Sequence, residues 1–108
     1  MTSPAPVQAV RDLLETHNAA SYPADLSGGA EVAGVALVML DADIAGLAAA
    51  FLGAGGTLRP DQWFTLRESA DDARSVLAEL SGESWVYFGR LYALARAVLR
   101  HAPGPGAG

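Results

Sequence analysis

Apolar residues in this chain recur at alternating spacings of three and four, and glycine or proline interrupts the pattern between runs. That spacing matches the 3.6-residue period of an α-helix and not the two-residue alternation of a half-buried strand. The chain is thereby committed to helices that each bury one stripe. Four such segments are readable. Val7, Val10, Leu14 and His17 mark the first, over about 6–18, with Pro6 suited to its first turn. Tyr22-Pro23 then forces an extended turn. Leu37, Leu40, Ile44, Leu47 and Phe51 mark the second, over about 30–52, where Ser27 or Asp25 can cap the start and Gly53, Gly55 and Gly56 stop the helix. Trp63, Leu66, Ala70, Ala73, Leu77 and Leu80 mark the third, over about 60–80, with Thr57 as its cap. Trp85, Phe88, Tyr92, Ala95 and Leu99, broadened by Leu91 and Val98, mark the fourth, over about 83–101.

The expected fold is all-α: a compact, four-helix bundle-like single domain over 6–102, framed by an N-terminal tail at 1–5 and a Pro/Gly tail at 103–108. A chain of 108 residues with 51% apolar and 18% charged residues has enough apolar material for one core and too little length for two. The second helix is expected to be central. Its reverse face, Val35, Val38, Ala42, Gly46 and Ala49, is also apolar, as in a helix buried all round or packed on a second chain. Gly34 to Leu40 also fits a short buried strand. Helix is the expectation there, because no second strand-like run is present to pair with it.

Missing residue types exclude several chemistries. Without cysteine there is no disulfide, thiolate metal site or cysteine nucleophile. Without lysine there is no Schiff-base mechanism and no Walker-type phosphate loop. The net charge of −5 opposes a phosphate backbone, so no nucleic-acid partner is expected. No basic n-region opens the chain, and Asp41 and Asp43 interrupt its most apolar stretch, so neither a signal peptide nor a membrane span is expected. A cytoplasmic location is the corresponding expectation.

Leu40-Asp41-Ala42-Asp43 is the motif closest to a known chemistry. It resembles the Asp-x-Asp metal site of nucleotide-sugar glycosyltransferases and, more weakly, the nucleophile motif of haloacid-dehalogenase-like phosphatases. Both families need a large α/β domain around the motif, which this chain is too short to supply. On a helix the two carboxylates point about 160–200° apart. Asp41 then lies beside the core stripe and needs a buried partner, an arginine or a tyrosine hydroxyl, with Arg90 and Tyr92 as candidates. His17 and His101 stand alone, without the paired ligand a helical metal site wants. Phe64 and Tyr87 fall off the core lines, which suits them to a pocket or partner surface. Arg67 and Asp71 form an i,i+4 pair, and Arg90, Arg96 and Arg100 are expected to bridge to the acidic face of helix three or to be solvated. Two ridges of small residues, Ala42/Gly46/Ala50 and Gly89/Ala93/Ala97, suggest a close helix contact at one of them at least, which leucine at position 46 should disrupt.

The leading functional expectation is a non-enzymatic regulatory or accessory protein, acting through protein–protein contact and homodimeric. No catalytic residue, metal or cofactor is assigned. The alternatives are a small-molecule-binding bundle using the aromatics and Arg90, and an enzyme or enzyme subunit using Asp41 and Asp43.

Overall fold

The computed structural model describes residues 5–26, 29–102 and 104. In chain order the elements are α1 (Ala5–Ala19), β1 (Glu31–Val32), β2 (Val35–Ala36), α2 (Leu37–Gly53), α3 (Pro60–Leu77) and α4 (Gly82–His101). The architecture is the all-α, four-helix bundle-like domain that the periodicity predicts. The tails at 1–4, 103 and 105–108, and Ser27 as a cap, lie outside the described residues, whereas Ala5 already belongs to α1. Both α2 and α4 pack against each of the other three helices. The core is built from Val10 and Leu14 of α1, Ile44 and Phe51 of α2, Leu66 and Val76 of α3, and Phe88 and Leu94 of α4. Each such side chain contributes about 1.5–3 kcal/mol on leaving water.

The second helix begins later than its sequence suggests. Residues 31–36 form a minimal antiparallel hairpin in which Val32 pairs with Val35 and Glu31 with Ala36. Ala33 and Gly34 make the turn with φ of +53° and +76°, the two positive values that a two-residue hairpin turn needs. The Leu37 amide donates to the Ala30 carbonyl at 3.1 Å, so α2 starts directly from the hairpin, with Ala36 as an N-cap that supplies no side-chain bond. The strand at Val35 does have a partner. It is only two residues long, too short to stand out as an apolar run. Asp25 does not cap α2 but faces Ser84 of α4 at 3.4 Å. The predicted stop holds: the Gly56 amide donates to the Phe51 carbonyl at 2.8 Å with Gly56 at φ +106°, closing the last turn. Thr57 is not the cap of α3; that position is Arg59, whose amide donates to Gln62 Oε1 at 3.0 Å.

On α4 the buried arc is shifted from the predicted line. Ser84, Tyr87, Phe88, Leu91, Leu94, Ala95 and Val98 are buried, whereas Trp85 is 51% exposed. At 100° per residue this arc is centred near Leu91, with Trp85, Tyr92 and Leu99 at or beyond its edge. Its width follows from packing: α1, α2 and α3 all lie against this helix. The small ridge of α2 does not meet another helix. Ala42 and Gly46 are exposed, and a Cβ at Gly46 would have nothing within 4 Å, so the expected clash of leucine at 46 does not arise within one chain. The α4 ridge does reach a neighbour, since a Cβ at Gly89 would lie 4.0 Å from Leu77 of α3.

Ala33 bears the cost of the hairpin turn, because a Cβ disfavours the left-handed region that asparagine tolerates. Ala33→Asn should therefore stabilise the protein by on the order of 1 kcal/mol. Thermal denaturation followed by circular dichroism should show a rise of about 4–8 °C. An unchanged or lowered midpoint would contradict the turn geometry.

Candidate functional site

A polar cluster inside the bundle joins three helices. His17 ends the buried stripe of α1 and is 4% exposed. Asp41 stands one turn into α2, beside the Leu37–Ile44 stripe, and Tyr87 stands on the buried arc of α4. His17 Nε2 lies 2.6 Å from Asp41 Oδ1, and the Tyr87 hydroxyl donates to Asp41 Oδ2 at 2.5 Å. A carboxylate only accepts, so Nε2 must carry the ring proton that faces it. The Tyr87 ring also packs against His17 at 5.0 Å and edge-on against Tyr22 at 5.5 Å. His17 Nδ1 and the Tyr22 hydroxyl are buried without a hydrogen-bond partner among the described residues.

Burial alone pushes the Asp41 carboxyl up. The hydrogen bonds from His17 and Tyr87, with the charge His17 carries when protonated, outweigh it and hold Asp41 below its ordinary value. Burial, and then the bond to Asp41, push the Tyr87 hydroxyl well above its ordinary value, and burial with the nearby Asp41 charge raises Tyr22 as well. Asp41 is thus the anion of the cluster and Tyr87 its neutral donor. Both carboxylate oxygens are engaged and the imidazole is sealed from solvent, so the group serves as a joint between α1, α2 and α4.

The other singled-out residues are dispersed. Arg90 and Tyr92 do not reach Asp41; the tyrosine hydroxyl that does is Tyr87, and Tyr92 instead accepts from Arg96 Nη1 at 3.2 Å. Asp43 is exposed and lines a shallow groove with Met39, Ser69 and Asp72, so the two carboxylates of the Asp-x-Asp string do not converge. Among the described residues no group of three metal-ligating side chains is present. Phe64 is 57% exposed, edge-on to Trp63, and Gly46 faces outward. Tyr87 and Arg90 do come together, with Tyr22, Pro23, Glu83 and Val86, around an open groove of about 560 Å³.

In sequence His17 stands alone on the stripe of α1, and its pairing with Asp41 is not readable there. What the sequence does signal is that each is a polar residue on or beside an apolar stripe, one needing donors and the other able to supply one.

The pair's contribution depends on pH with a defined sign. A carboxyl held low in the folded state stabilises fully above its unfolded pKa of about 3.9 and loses that contribution as pH falls through the folded value. Asp41→Asn should cost about 1.5–3 kcal/mol at neutral pH. In urea melts the gap between the two proteins should hold from pH 7 down to about pH 4 and narrow below that, as pH falls towards the lowered folded value. A gap that stays constant would mean that Asp41 is not the ionised acceptor.

No protein-family model, curated protein or solved structure matches this chain.

Proposed function

We propose that this chain works through protein–protein contact and that the partner of its α2 outer face is a second copy of itself. The observation that carries the reading is that face. Val38, Met39, Ala42, Gly46 and Ala49 are exposed on α2 and uncharged, and Asp43 at the edge of this face is its one exposed carboxylate. Val38 is 45% and Met39 61% exposed, two of the five large apolar side chains left in solvent among the described residues. The exposed side of α3, by contrast, carries Arg67, Glu68, Asp71, Asp72 and Arg74. Two copies with a net charge of −5 each repel, and a face whose only carboxylate, Asp43, sits at its edge is where they approach at low electrostatic cost. The absence of a Cβ at Gly46, with open space beyond, lets a facing helix come close. A two-fold pairing of this face with itself is the self-complementary arrangement of common dimers. Its extent is limited: 17 residues span about 25 Å. One helix face falls short of the roughly 800 Å² per partner of a standard interface, so the dimer should dissociate on dilution.

Light scattering during size-exclusion chromatography, over a dilution series, tests this. The mass should rise with concentration from 11.1 kDa towards twice that value. Gly46→Arg should remain monomeric at every concentration. Its fold should survive, because a Cβ at this exposed position has nothing within 4 Å and the change replaces a helical glycine that costs about 0.5–1 kcal/mol. A wild-type mass fixed at the monomer value, or association unaffected by Gly46→Arg, would remove the reading.

A second reading has its own observation. Tyr22, Tyr87 and Arg90 share one groove, two aromatic surfaces beside one cation, which suits a small aromatic acid. Benzoate titrated by NMR should shift the Tyr87 and Arg90 resonances with saturation, and Arg90→Gln should abolish that; shifts spread over the whole surface would argue against it.

A further inference from the structure

A second groove, between α3 and α4, has the opposite electrostatic character to the rest of the molecule. Arg67 and Arg74 rise from α3 and Arg96 and Arg100 from α4, so four of the seven arginines line a single concavity of about 420 Å³. Arg96 and Arg100 were expected either to form salt bridges to the acidic face of α3 or to be solvated, and Arg67 to pair with Asp71; the arginines are solvated rather than bridged. Among the described residues the ion pairs are His17–Asp41 and Arg59–Asp61, which leaves all four groove arginines unpaired and Arg67 out of bonding range of Asp71. Asp71 is the one carboxylate on the lining. Two of the guanidiniums are steadied by aromatic rings, Arg67 over Trp63 and Arg96 over Tyr92, each 5.9 Å from the ring centroid.

Four exposed guanidiniums facing one concavity make the local potential positive there and attract an anion. The groove's size is that of a small-molecule site. The ring faces of Trp63 and Tyr92 are engaged by arginine, which leaves charge rather than stacking as the means of recognition. The guanidiniums reach the groove from two walls. A planar carboxylate matches one guanidinium fork, whereas a tetrahedral phosphate presents oxygens towards both walls. We infer that the α3–α4 groove binds a compact, multiply charged phosphate compound. An extended nucleic-acid backbone is disfavoured by the carboxylates of Glu68, Asp72 and Glu79 exposed on and beside α3, and by the net charge of −5. The site lies off the α2 face and is independent of self-association.

Isothermal titration calorimetry with sodium pyrophosphate, at constant ionic strength near 0.15 M, tests the assignment. The expected result is saturable binding at one site per chain, weakened at least ten-fold in the Arg67→Gln/Arg96→Gln double variant. Arg90→Gln, in the other groove, should bind as the parent does. All three side chains are exposed, and thermal melts should show the variants folded. Absence of saturable heat, or equal weakening by Arg90→Gln, would overturn the site. Citrate binding in preference to pyrophosphate would overturn the phosphate assignment, and tighter binding of a single-stranded oligonucleotide would overturn the small-ligand one.

Discussion

A carboxylate that faces inward from α2 has to be satisfied by its neighbours, and the way Asp41 is satisfied ties the bundle together. Its two oxygens take one donor from the end of α1 and one from the second turn of α4, so the three helices are held in register by a single residue. Apolar packing alone is tolerant of sliding, whereas a hydrogen-bonded carboxylate accepts only a narrow range of positions. The hydrogen bonds also set the electrostatics of this end of the molecule: they hold Asp41 ionised, and with burial they keep Tyr87 and Tyr22 protonated. The groove beside Tyr87 and Arg90 inherits a neutral aromatic wall for that reason.

Charge elsewhere is strongly sorted. The outer face of α2 is nearly free of it, the α3–α4 groove concentrates cations, and the remaining surface is acidic. The first two regions stand apart from the His17–Asp41–Tyr87 joint, which is largely buried and engaged on both carboxylate oxygens. The proposed contacts with other molecules lie on these surfaces, and the interior cluster holds together the helices that present them.

Much of the helical frame was legible in sequence, because a stripe at three-four spacing has one physical interpretation in a chain this size. Pro6, the glycines after Phe51 and Pro60 marked ends that the structure keeps. The hairpin at 31–36 was not legible. Two-residue strands carry no periodicity, and Ala33 replaces the asparagine or aspartate that usually announces such a turn. The need of Asp41 for a partner was readable from its position, but the partners were not. His17 lies 24 residues away and Tyr87 lies 46 residues away, and which residues meet across three helices depends on their relative rotation.

By itself, then, the sequence determined the number of helices, the inward stripe of α1, α2 and α3, and the chemistries closed to a chain without cysteine or lysine. These follow from local periodicity and composition, which need no knowledge of neighbours. Tertiary structure alone decided the breadth of the buried arc on α4, which brings Tyr87 in and leaves Trp85 out. It also decided that the small ridge of α2 faces solvent, and that arginines separated in sequence line one groove. Burial and charge proximity are properties of helix pairs, set by how many neighbours each helix packs against, and no single stripe encodes them.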